Sequence, residues 1–465
     1  MTNAAAAPDD ARPTGSLPVD SLRGLRFSAA TSAFQVEGGR DADGRGRSIW
    51  DDFVEIPGSV ADQSIAEPAA DSYRRWSDDV ALAAGLGLDR FRFSLSWSRV
   101  LPDGAGPPNP LGLDHYSRLV DALLEAGVTP FPTLDHWGLP SALQASGGWL
   151  DRDTAYRFAE YAALVAQRLG DRVKHWYTLD EPNTTSLLGY GIGTHAPAQF
   201  LLYGALPTVH HQLLAHGLAM PVLREAGAET VGLANNHTLV LPASSFPADV
   251  AAAEAYDLVH NRIFVEPVLL GRYPDLAPFG DLAPAIHDGD LALISARPDF
   301  YGIGFYNPNT VAAPPERSPV PFSLLPTPGV PVTGCGDDWP IMPSALTALL
   351  ADFAGRYGRH LPPVIISGNG AAFDDPDTAG TCDDVDRIDY LAGHLRAVAA
   401  ARDAGIRVDE YTVRSLIDGF HWTDGLTRRF GLVHVDFTTA ERTPRASYDW
   451  YRRVVAAVHD ASAHA

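Results

Sequence analysis

Asp180 and Glu181 stand side by side in the run TLDEPN. Two carboxyl groups that close repel each other when both are ionised. One of them therefore keeps its proton above the usual carboxylate range, which is the state a general acid needs. His421, in GFHWTDG, adds a group able to take or give a proton near neutrality. Arg414, in YTVRSL, adds a fixed cation. It can pair with the two carboxylates, clamp an anionic part of a bound molecule, or meet charge that develops during a reaction. Taken singly, such residues are ordinary: a lone strand-end carboxylate is usually a salt-bridge partner, and a lone tryptophan usually packs. Convergence on one surface is what would make them a site.

The elements that must position them are short apolar runs alternating with longer helical patterns. RFSAATSAF, LDRFRFSLSW, VTPFPTLDHW, VKHWYTLDEP, TVGLANNH, DFYGIGFYN, PPVIISGNG and VDEYTVRSLIDGF read as strands. Between them, stretches such as HYSRLVDALLEAG and YRFAEYAALVAQRLG repeat their apolar residues at three and four. Strands each followed by a helix predict an α/β fold, a single closed (β/α)8 barrel with long loops over its C-terminal face. In such a barrel the strand exits converge on one rim. The exits here carry Gln35, Glu37, Trp97, Arg99, His136, Trp137, Asp180, Glu181, Asn235, Tyr306, Arg414, His421 and Trp422. The seventh exit differs: VIISGNG reads as a strand that ends in a loop from Ser367 with no acid or base among its residues.

Composition narrows the function. A net charge of −22 and a pI near 5.0 argue against nucleic acid or an anionic membrane as partner, leaving a small molecule. Two cysteines, Cys335 and Cys382, form no disulfide framework and no metal cluster, so no metal and no cofactor is expected. The first residues lack a basic region followed by an apolar core, and no run approaches membrane-spanning length, so a cytoplasmic location is expected. The chain divides into a disordered tail over 1–18, the barrel over 19–457 and a C-terminal tail over 458–465. A proline-rich stretch from Ala312 to Pro331 follows the sixth strand and reads as one long low-structure insertion that would lie over the rim, where it could shape an entrance. Nothing in the sequence fixes the oligomeric state.

From about Leu22 to Val455 the chain resembles family 1 glycoside hydrolases, the β-glucosidase family. The matching segments include ATSAFQVEGG, FRFSLSWSRVLPDG, LDHWGLPSAL, TLDEPN, GYGIGTHAPA, DFYGIGFYN, GNGAAFDD and RFGLVHVDF, in the family's order. The resemblance implies a retaining reaction run by two glutamates. One protonates the leaving oxygen, and the other, about 5–5.5 Å away, forms a glycosyl intermediate. Glu181 falls on the acid/base position. The nucleophile position falls on Gly368, so the resemblance implies that this carboxylate is absent. Asp180 stands where the family has asparagine, Gly304 replaces another asparagine, and Gly138 replaces an aspartate. Arg414 replaces the tryptophan under the sugar, and His421 a glutamate that holds hydroxyls. Gln35, His136, Trp137, Tyr306 and Trp422 remain as substrate contacts.

These departures lead to an expectation of a repurposed enzyme. It would act on a modified sugar, a glycosylated secondary metabolite or a related ring system, with Glu181 as acid, Asp180 raising its pKa, His421 as complementary base and Arg414 as anion clamp. The sequence leaves two alternatives open, an inactive sugar- or metabolite-binding protein and an engineered glycosynthase or β-glucosidase variant. On all these readings retaining hydrolysis of ordinary β-glucosides is not expected.

Overall fold

The structure is a computed structural model that describes residues 16–277, 279–333, 338–373 and 384–464. Eight parallel strands close into one barrel: β1 (Arg26–Thr31), β2 (Arg90–Ser94), β3 (Thr129–Asp135), β4 (His175–Asp180), β5 (Thr230–Asn236), β6 (Phe300–Gly304), β7 (Val364–Asn369) and β8 (Val408–Arg414). Each pairs with its sequence neighbours, and β1 closes against β8 with Ala30 opposite Arg414. The expected (β/α)8 barrel is what forms.

Strand β2 shows how the sequence chooses faces. Its RFRFS alternation sends Phe91 and Phe93 into the core shared with the helices, while Arg90 and Arg92 enter the barrel. A buried guanidinium needs a partner. Arg90 Nη1 donates to Glu410 Oε2 at 2.9 Å and lies over the Phe131 ring. Arg92, one step nearer the C-terminal rim, lies 4.1 Å over the Tyr177 ring. A small apolar plug of Phe131, Tyr177, Ala234, Phe300 and Ile365 fills the barrel around them. Gly302 is required here, because a Cβ on it would come within 2.6 Å of that of Ala234.

The outer helices include α1 (Ser72–Gly85), α2 (Pro110–Glu125), α3 (Asp153–Leu169), α4 (Leu206–Glu225), α5 (Pro343–Tyr357), α6 (Val385–Asp403) and α7 (Ala446–Ala463). On α3, Phe158, Tyr161, Ala162, Val165 and Leu169 form the buried stripe that the spacing of three and four predicts. Asn109 caps α2 by accepting from the Leu111 amide, with Pro110 at the first helical position.

Three expectations about the chain's course need correction. Ser367, Gly368 and Asn369 do not begin a loop; they are the last residues of β7, reached through a register shift against β6 that follows Ile366. The segment 458–463 is not a tail, because α7 continues to Ala463 and buries Val458. The proline-rich stretch is partly structured: Ser323–Leu325 pairs antiparallel with Asn309–Ala312, which also pairs with Val240–Pro242. Residues 1–15 of the expected N-terminal tail, and both cysteines, lie outside the described residues. Among the described residues no helix is long and apolar enough to cross a membrane.

Candidate active site

The C-terminal rim holds an inner pocket lined by Gln35, Arg92, His136, Trp137, Asp180, Glu181, Tyr306, Gly368, Arg414, His421 and Trp422, among others. An outer vestibule of about 670 Å³ continues from it. The expected convergence is therefore found for every residue singled out as catalytic or substrate-binding.

Asp180 ends β4, and Glu181 follows it with a positive φ of 49°. In an extended chain successive side chains point to opposite faces. The left-handed turn at Glu181 instead lets both carboxyl groups line the pocket. The two have opposite electrostatic surroundings. Burial alone would push Asp180 up, but Arg92 Nη2 stands 2.8 Å from Oδ1 and His136 Nδ1 3.0 Å from Oδ2. These two hold Asp180 well below the usual carboxylate range. Glu181 moves the other way: burial raises its pKa, and the Asp180 charge raises it further, against weaker pulls from His136, Arg414 and the Thr184 hydroxyl. Thr184 Oγ1 donates to Glu181 Oε2 at 3.0 Å and fixes its direction. Asp180 is pushed toward the ionised form and Glu181 toward the protonated one.

Arg414 does not pair with these carboxylates, as the sequence had suggested it could. Its guanidinium lies between two rings, 5.1 Å from the centre of Tyr306 and 4.5 Å from that of Phe430. Arg92 takes the pairing role, through a signal the sequence does contain: two arginines alternating with phenylalanines in a buried strand demand buried acids. Burial raises the Tyr306 phenol, with Arg414 opposing. His421 Nδ1 donates to Asp424 Oδ2 at 2.7 Å, and the residue lines the cavity. Burial pushes this imidazole down despite Asp424, so it is neutral near pH 7.

The aromatic wall is continuous. Trp422 lies 4.2 Å from Trp137 and 4.4 Å from Trp50, with His136 at 5.6 Å, all between ring centres. Trp137 Nε1 donates to the Asp180 carbonyl at 3.1 Å, tying this wall to the carboxylate pair. Gln35 donates to the Phe420 carbonyl at 2.8 Å. Four strand-exit residues are not in the pocket. Trp97 stacks on Tyr161, Arg99 binds Glu37 at 2.9 Å, and Asn235 donates to Tyr301. Each satisfies a buried polar or aromatic neighbour behind the rim. The vestibule wall adds Leu324, Leu325, Val332 and Trp339, which strand-exit reasoning could not find because they lie outside the barrel strands, the two leucines on the short strand Ser323–Leu325.

The sequence pattern of Glycosyl hydrolase family 1 matches residues 20–459. Thermostable beta-glucosidase B of Thermobispora bispora is 44% identical over 93% of this chain and 90% of its own. Beta-glucosidase A of Thermotoga maritima is 38% identical over 93% and 97%. Among solved structures, a psychrophilic β-glucosidase from Micrococcus antarcticus superposes with a TM-score of 0.91 at 40% identity, covering 96% of this chain and all of the other. The Thermotoga maritima β-glucosidase in complex with glucoimidazole gives 0.88 at 37%, covering 94% and 98%. The expectations of a repurposed enzyme or an inactive binding protein do not stand against these findings. Relatives this similar along almost the whole chain are named as β-glucosidases, so departures at single pocket positions are too few to outweigh the match.

Proposed function

Because the chain belongs to glycosyl hydrolase family 1, we propose that it is a β-glucosidase that hydrolyses β-D-glucosides in the rim pocket. The observation that carries the reading is Glu181 buried in the rim pocket beside Asp180, its pKa raised by burial and by the Asp180 charge. Cleaving a glycosidic bond requires a proton for the departing oxygen, delivered by a group that still holds it at working pH. Glu181 is that group. Its partner Asp180 keeps it charged with a proton and lends negative charge to an oxocarbenium-like transition state.

The sugar ring occupies the inner pocket against Trp422, with Gln35 and His136 in reach of its hydroxyls and His421 at the far side. The leaving group extends into the vestibule past Trp137, Tyr306 and Trp339. Arg414, held between two rings, keeps a fixed cation near Glu181 and steadies the carboxylate that forms as the proton leaves. The test is release of 4-nitrophenol from 4-nitrophenyl β-D-glucoside by the purified protein, with the α-glucoside as control. Turnover of the β-anomer alone is expected. No release from the β-glucoside would contradict the proposal.

A further inference from the structure

Retaining hydrolysis needs a carboxylate that attacks as well as an acid that protonates. Strand β7 offers no side chain for this at Gly368. A Cβ there would stand 2.8 Å from the Tyr306 hydroxyl, so a side chain at this position requires Tyr306 to shift. Among the described residues, the only carboxyl groups lining the inner pocket are Asp180 and Glu181. Arg92 connects the first of them to the empty position. Its Nη1 donates to the Ser367 carbonyl at 2.7 Å, the residue next to Gly368, while its Nη2 stands 2.8 Å from Asp180 Oδ1. One guanidinium thus ties the Asp180 carboxylate to the end of β7. Tyr306 feels the Asp180 charge as well, which brings Arg92, Tyr306, Gly368 and Asp180 into one cluster. The carboxylate that the resemblance removes at 368 reappears at 180, where the same resemblance implies an asparagine.

We infer that Asp180 is the catalytic nucleophile of this chain, in a pair with Glu181 as the acid. This rests on the β-glucosidase reading. An Asp180 oxygen forms a bond to the anomeric carbon as the glycosidic carbon–oxygen bond breaks. The departing oxygen keeps the bonding electron pair and takes the Glu181 proton. A water then attacks the same carbon and gives its proton to Glu181, and the Asp180 ester bond breaks with its electron pair returning to the carboxylate. Arg92 and His136 each stand against a different Asp180 oxygen, Oδ1 at 2.8 Å and Oδ2 at 3.0 Å. They hold the group ionised in a buried place, as an attacking carboxylate must be.

The test uses wild-type protein and 2,4-dinitrophenyl 2-deoxy-2-fluoro-β-D-glucoside. The fluorine slows both steps, and the activated leaving group restores only the first. Mass spectrometry of the digested protein is expected to find the fluoroglucosyl adduct on the peptide containing Asp180, and NMR of ordinary glucoside hydrolysis to show β-glucose first. Asp180→Asn is expected to abolish the adduct and lower turnover at least about a thousandfold. The wild-type labelling keeps the question decidable if that variant fails to fold. An adduct on any other residue, or turnover that gives α-glucose without an adduct, would overturn the inference and leave the β-glucosidase reading standing. Absence of any β-glucoside turnover would sink both.

Discussion

Asp180 and Glu181 are consecutive residues whose pKa values are pushed in opposite directions, the first down by Arg92 and His136, the second up by burial and by the first. The positive φ of 49° at Glu181 is what sets two neighbours in a chain to the same pocket. Catalytic assignments in carboxylate sites follow from environments that push paired pKa values apart. Here the separation is built into one dipeptide.

The pH profile follows from the signs. Glu181 must be protonated to act and its pKa is raised, so activity persists above the usual carboxylate range and falls as pH rises through the Glu181 value. Asp180 must be ionised and its pKa is lowered, so an acid limb from it appears only below the usual aspartate range. Asp135, pushed up to about 6 by burial, titrates nearby but accepts from the Gly138 amide at the end of β3. Profiles of kcat/KM for wild type and Asp135→Asn should share the alkaline limb. A limb that vanishes in Asp135→Asn would assign it to Asp135 instead.

Placing a glutamate at 368 is expected to harm the protein. The new Cβ meets the Tyr306 hydroxyl at 2.8 Å, and the new carboxylate enters a buried cluster already holding one negative charge. Gly368→Glu should cost about 1–3 kcal/mol of stability in urea unfolding and raise no turnover. Tyr306→Phe in the same chain relieves part of the cost, since the next ring atom stands 3.8 Å away. A gain in both stability and turnover from Gly368→Glu alone would show that β7 still holds a place for the missing carboxylate.

On the proposed reading, leaving-group preference resides in the vestibule. Leu324 and Leu325 are 54% and 45% exposed in the short strand that covers the rim, and both line this outer cavity. Replacing both with serine removes about 1 kcal/mol of apolar contact, so KM for aryl β-glucosides should rise roughly three- to tenfold with the fold unaffected. Cellobiose, whose second sugar is polar, should be affected less. Equal effects on both substrates would place the leaving group elsewhere.

How much of this the sequence contained depends on the length scale of each signal. Strand and helix periods span many residues, so the barrel was legible, as was the gathering of Asp180, Glu181, Arg414 and His421 on one rim. The partner of Asp180 was not. Arg414 looked equally suited by charge, and only the barrel's register shows that Arg92 projects from β2 toward Asp180 while Arg414 is held between Tyr306 and Phe430. Small residues ordinarily end a strand, so the sequence around Gly368 reads as a loop, whereas the β7 register shift carries the pairing through it. The substrate expectation failed differently. It weighed a handful of changed pocket residues above a match running along nearly the whole chain.

The role of Glu181 as proton donor is tested most directly by its dependence on the leaving group. Glu181→Gln preserves size and hydrogen bonding but cannot give a proton. With an alkyl or sugar leaving group, which must be protonated, turnover should fall by about 10²–10⁴-fold. With 2,4-dinitrophenyl β-D-glucoside, whose leaving group departs as an anion, bond cleavage should be nearly unchanged, as read from the first burst of dinitrophenol. An equal loss for both leaving groups, or no loss for either, would contradict Glu181 as the general acid.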